Sequence, residues 1–146
     1  MKTYSPKLSD IDRKWHVLDA SKAPLGRVST AAAKLLTGKG KPGFSAHMDM
    51  GDFVIIINSD NLVSTGNKMS DKEYYRHSGF PGGIYKRTQG EQLQRDSKKV
   101  IFHAVRGMLP VNKLRKERLD RLKIYTGAEH THAAQNPLEY DMKESK

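Results

Sequence analysis

The chain has 146 residues, 36% of them hydrophobic, with 26 Lys and Arg against 16 Asp and Glu, for a formal charge of +10. That length suits one domain around one core, and the charge selects a polyanionic partner, either nucleic acid or an anionic membrane surface. The absence of cysteine excludes disulfides and thiolate metal sites, and the longest aliphatic run, Val54 to Ile57, is far too short to span a bilayer.

Residues 1 to 14 read as an extended polar arm without the apolar run of a signal peptide, so a soluble cytoplasmic protein is expected. Trp15-His16-Val17-Leu18-Asp19 is short, partly β-branched or aromatic, and closed by small polar residues, which predicts the first strand. Pro24 suits a first helical position, and Val28, Ala31, Ala32, Leu35 and Leu36 recur at helical spacing until Gly38. This predicts a helix from about Pro24 to Thr37. Gly38-Lys39-Gly40-Lys41-Pro42-Gly43 matches G-x-G-x-x-G letter for letter. It follows a helix instead of a strand, however, and starts no helical pattern, so it reads as a basic loop whose Lys39 and Lys41 touch phosphates.

His47, Asp49 and Asp52 offer nitrogen and oxygen ligands, as do His130 and His132, but a metal site without cysteine needs more ligands than these, and polar surface residues are the preferred reading. No catalytic constellation and no cofactor are expected. Phe53-Val54-Ile55-Ile56-Ile57-Asn58 is continuously apolar, as in a strand covered on both faces, and completes a right-handed βαβ unit with parallel pairing. Asn61 to Ser64 reads as a short additional strand.

Lys68 to Arg87 combines aromatic, basic and glycine residues with almost no aliphatic ones. Planar side chains stack on unpaired bases, cations hold phosphates, and glycines let a backbone lie close to a polyanion. The combination suggests RNA, and Arg76, Lys86 and Arg87 are the cations the stretch adds to a nucleic-acid face. The competing reading is a surface loop with a Pro-Gly turn, in which Tyr74 and Tyr75 cover a sheet edge.

Asp96 or Ser97 is expected to cap a helix with an apolar stripe of Val100, Ile101, Ala104, Val105, Met108 and Leu109, ended by Pro110. Lys98, Lys99, His103 and Arg106 lie off that stripe. A further helix from Asn112 to about Leu122 is expected to bury Leu114, Leu119 and Leu122 and to display Lys113, Arg115, Lys116, Arg118 and Arg121. Lys123 to Gly127 is a candidate last strand, and the residues from Ala128 onward are expected to lie on the surface or on a partner. Residues 76 to 123 hold 13 basic and 4 acidic side chains, so almost all the excess charge sits in one third of the chain. That concentration favours a nucleic-acid face over a solvated charge run.

Asp71-Lys72-Glu73-Tyr74-Tyr75-Arg76-His77-Ser78-Gly79-Phe80-Pro81-Gly82-Gly83 and His103-Ala104-Val105-Arg106-Gly107-Met108-Leu109-Pro110-Val111-Asn112-Lys113-Leu114 resemble the bacterial large-subunit ribosomal protein L-thirteen family. Gly66-Asn67-Lys68, Trp15 to Asp19, Leu25-Gly26-Arg27, Gly51 to Val54, Tyr125-Thr126-Gly127 and Glu129 to Gln135 match as well. Local departures are Ile84-Tyr85-Lys86 and Arg115-Lys116.

The resemblance implies a single three-layer α/β/α domain with a four-stranded parallel sheet: arm 1–14, core 15–127 and surface tail 128–146. It also implies a non-catalytic structural protein that binds 23S rRNA, acts early in large-subunit assembly and lies beside other large-subunit proteins, with no membrane and no obligate homo-oligomer. Binding of messenger RNA as a translational repressor is compatible with it. By motif, Lys68, Tyr74, Tyr75, Arg76, His77, Gly79, Gly82, Gly83, Arg106 and Lys113 face RNA. The competing classes are an RNA-processing or nucleotide-using enzyme relying on His47, Asp49 and Asp52, and a DNA-binding regulator, for which no helix-turn-helix signature is present.

Overall fold

A run of Val and Ile with no polar break has no side to show to water, and β2 (Phe53–Ile57) accordingly lies inside the sheet, with Val54, Ile55 and Ile56 fully buried. It pairs in parallel with β1 (Trp15–Asp19) on one side and β5 (Leu122–Ile124) on the other, and β1 also pairs with β6 (Leu138–Glu139). The four-stranded, all-parallel order is β5-β2-β1-β6, the α/β architecture expected. The computed structural model describes residues 5–142; the first four residues of the expected arm and the last four of the expected tail lie outside the described residues.

The register places Trp15 beside Phe53 and Leu18 beside Ile56, and the period of two sends these pairs to opposite faces. Leu18, Val54, Ile56 and Leu122 join one core with helices α1 (Leu25–Thr37) and α3 (Gln89–Met108). On the other face Trp15 stacks on Phe53 at 4.2 Å between ring centroids, and His132 packs 4.9 Å from Trp15. The segment after Gly127 is thus partly built into the domain. Tyr140 donates its backbone N–H to the Val17 carbonyl at 3.0 Å, and Met142 is buried in the core. Two residues without β-branching carry no strand signal, so β6 is visible only through its pairing. The short strand expected at Asn61 to Ser64 is a 3-10 turn (Ser59–Asn61) followed by one isolated bridge from Val63 to Pro24.

α3 begins earlier than its apolar stripe suggests. Thr88 and Glu91 form a capping box, and the helix kinks at Asp96, whose φ of −163° and ψ of 93° are extended. The cap expected at Asp96 or Ser97 therefore lies at the kink, where the Ser97 hydroxyl bonds Ser59 at 2.8 Å and Asp60 at 2.5 Å. α4 (Leu114–Asp120) is shorter than expected.

Arg118 and Arg121, expected on display, are 2% and 5% exposed and correct that part of the reading. Both converge on Asp49. Arg121 grips it through both terminal nitrogens, one of them at 2.6 Å, and Arg118 Nε reaches it at 3.4 Å. Arg121 also donates to the Leu36 carbonyl at the end of α1, 3.2 Å away, and to the Asp52 carbonyl. Gly51 makes this possible, because a Cβ there would lie 1.8 Å from the Leu36 oxygen. Asp52 in turn receives Lys41 at 2.6 Å, His16 at 3.4 Å and the Lys14 backbone N–H at 3.0 Å.

Burial alone raises the pKa of Asp49 and Asp52. The Arg121 hydrogen bond and the surrounding cations outweigh it at Asp49, and the His16, Lys41 and Lys14 hydrogen bonds do so at Asp52, so both carboxyls sit below the usual range. A depressed folded pKa stabilises above the unfolded value near 3.8, and that contribution is lost as pH falls toward the folded value. Unfolding free energy should therefore be level above pH about 5 and decline below about 4, with a shallower decline in Asp49→Asn. Asp49→Ala, which strands two buried guanidinium groups, should lose about 3–5 kcal/mol by denaturant titration.

Candidate nucleic-acid interface

The stretch expected to be a loop is a hairpin. β3 (Glu73–His77) and β4 (Ile84–Thr88) pair antiparallel, following the short helix α2 (Lys68–Asp71), and Gly79 and Gly82 take the positive φ values of 90° and 71° that its turn requires. Gly83 closes the turn by accepting the Ser78 N–H at 2.8 Å. The alternation of Tyr, Arg and Lys with few aliphatics obscured the strand signal, although Tyr74-Tyr75 and the Pro-Gly-Gly turn carry one.

Only the base of the hairpin is anchored. Tyr74 is half-buried against the core, 5.9 Å from the His103 ring, with Lys72 Nζ 5.4 Å above it. Its hydroxyl has no hydrogen-bond partner among the described residues, and burial raises its pKa. Tyr75 is exposed, whereas Tyr74 packs against the core beside α3. Beyond it both faces are open: Tyr75, Phe80, Ile84 and Tyr85 are 64%, 75%, 63% and 60% exposed. By register Tyr74, Arg76, Tyr85 and Arg87 share one face, and Tyr75, His77, Ile84 and Lys86 the other. His77 Nδ1 accepts the Gly79 N–H at 2.9 Å, which leaves Nε2 as the outward donor of the neutral ring. Lys86 is spoken for by Glu73 at 3.1 Å. Hydrogen bonds from Tyr75 and Lys86 lower the pKa of Glu73, and the Glu73 hydrogen bond raises that of Lys86.

A second basic surface lies where α3 meets α4. Phe102, Arg106, Asn112, Lys113, Arg115 and Lys116 line a groove of about 450 Å³. Arg115 Nε donates to the Arg106 carbonyl at 3.1 Å, fixing the angle between the helices. Arg106, Lys113 and Lys116 are exposed and make no ion pair among the described residues. Lys98 is exposed too, whereas Lys99 pairs with Asp96 at 3.2 Å.

The expected basic loop is divided. Lys39 is exposed, whereas Lys41 is half-buried and donates to Asp52 and to the Asp12 carbonyl, which ties this loop to the residues before β1. Lys68, at the start of α2, is exposed and reaches Thr65 Oγ1 at 3.3 Å. His47 bonds Ser45 at the surface, while the Asp49 and Asp52 carboxylates are occupied by Arg and Lys. These three residues do not form a common ligand set, and no cluster of metal-ligating side chains is found among the described residues. His130 and His132 instead flank Tyr125, with ring centroids 6.3 and 6.1 Å away.

The profile of the family described as Ribosomal protein L13 matches residues 13–131. The large ribosomal subunit protein uL13 of Mycobacteroides abscessus is 51% identical over 144 residues, spanning 99% of this chain and 98% of the relative. Those of Salinispora arenicola and Mycobacterium tuberculosis are 50% and 49% identical over the same shares.

The hairpin geometry makes stability separable from surface chemistry. Tyr74→Phe, which removes an unpartnered hydroxyl, should leave the urea midpoint unchanged or raise it, while Tyr74→Ala should cost about 2 kcal/mol, less than a fully buried aromatic. Phe80→Ser and Tyr85→Ser should stay within about 0.5 kcal/mol.

Proposed function

This chain belongs to the ribosomal protein L13 family, and from that premise we propose that it binds 23S rRNA, joins the large subunit early in assembly and lies there beside other large-subunit proteins. It is a structural, non-enzymatic protein of the large subunit of the cytoplasmic ribosome. The observation that carries the RNA reading is the set of cations left unpaired after folding: Arg106, Lys113 and Lys116 around one groove, with Arg76 on a hairpin that has no apolar cover of its own.

Mechanistically, these cations displace counterions from phosphates, and the hairpin enters irregular RNA, where unpaired bases stack on Tyr75, Phe80 and Tyr85. An A-form major groove is too narrow for such a projection, so loops and junctions are its natural target. Early entry is supported by a core closed by the chain's own residues, which needs no neighbour before RNA is bound. The same face suits the chain's own messenger, in competition with rRNA. The chain acts as one domain and as a monomer, and no helix among the described residues is long and apolar enough to cross a membrane.

The test is co-sedimentation with large subunits through a high-salt wash, where retention is expected and migration as a free small protein refutes the reading. Replacing Arg106, Lys113 and Lys116 with Ala should flatten the log–log salt dependence of rRNA binding by about 2, near 0.7 per lost phosphate contact. Arg76→Ala with His77→Ala should weaken binding while leaving the unfolding transition in place.

A further inference from the structure

The cleft between the start of α1, α2 and α3 has a volume of about 600 Å³ and is not explained by packing or by the basic groove. We propose that it receives one unpaired nucleotide of the RNA, an inference that rests on the RNA-binding reading above. Its walls include Leu25, Ala104 and Met108, which suit the flat face of a base, and its rim carries Lys68, Lys72 and the exposed His103. The Ser64 and Thr65 hydroxyls, which accept from Gln89 and Lys68 at 3.3 Å each and keep their own O–H to donate, and the Asp71 carboxylate, which accepts from Ser70 at 2.9 Å, supply hydrogen-bonding groups for a base edge or a ribose hydroxyl.

Two of the lining residues are exposed glycines, Gly26 and Gly107, at which a Cβ would meet nothing within 4 Å. At the start of α1 the Leu25 N–H is committed to the Val63 carbonyl at 3.1 Å and the Arg27 N–H to the Pro24 carbonyl at 2.9 Å, so the proposal rests on the side chains around the cleft.

Continuity with the hairpin selects RNA as the occupant. Lys72 Nζ lies over the Tyr74 ring, so the rim of the cleft runs directly into the hairpin face that carries Tyr74, Arg76, Tyr85 and Arg87. A strand of RNA following that face passes across the cleft mouth, with Lys68 and Lys72 placed for its phosphates and the base turned inward. His103, 5.9 Å from Tyr74, extends the stacking surface.

Gly107→Leu fills the cleft on an exposed helical position where Leu is the better helix former, so the fold is preserved. In binding of the full chain to a 23S rRNA transcript, this variant should lose about tenfold in affinity, the scale of one stacked base, with an unchanged salt slope because no phosphate contact is removed. Gly107→Ala should lose little. Unchanged affinity of Gly107→Leu, or a loss accompanied by a flatter salt slope, overturns the cleft assignment while RNA binding by the unaltered chain stands. Failure of the unaltered chain to bind the transcript overturns the function itself.

Discussion

The pairing of Asp49 with Arg118 and Arg121 is the constraint on which the outward surface depends. A carboxylate that is nearly buried must be fully compensated, and two guanidinium groups from α4 and the residue after it converge on it. The same Arg121 holds the Leu36 carbonyl near the end of α1 and the Asp52 carbonyl at the entry to β2, so loop, helix end and central strand are joined at one point. With Arg118 facing inward, helical geometry turns Lys113 and Lys116 outward toward Arg106. The basic groove is thus a consequence of a buried ion pair made of the same residue type.

The hairpin follows a different logic. Two strands alone are marginal in water, and here the pair is attached through Tyr74 and the start of α3 while its distal residues are open on both faces. Its composition of rings, cations and glycines in place of aliphatic residues matches an RNA surface better than a protein groove.

Charge accounting differs between chain and fold. Of the basic residues, Lys86 and Lys99 are partly neutralised by Glu73 and Asp96, Lys41 pairs with Asp52, and Arg118 and Arg121 share the single charge of Asp49 inside the protein. Among those without an ion pair in the described residues are Arg106, Lys113 and Lys116 at the groove, Lys68 and Lys72 at the cleft, Arg76 and Arg87 on the hairpin, and the exposed Lys39 and Lys98. Pairing in the fold, not the total of +10, decides which cations are left without a carboxylate partner.

By itself the sequence determined the βαβ unit, because β2 is continuously apolar and α1 is periodic between Pro24 and Gly38, and it determined the family through two long motifs. It also located the glycine-aromatic stretch, since those residue types are rare together in a core. The tertiary structure alone decided which arginines are inside, because Arg118 and Arg121 look like any surface cation until Asp49, some 70 positions earlier, is brought beside them. It also decided that the stretch is a hairpin, that Leu138–Glu139 completes the sheet, and that α2 and α3 enclose a cleft with α1. Each of these rests on pairing between distant segments, and local periodicity carries no information about a partner that is remote along the chain.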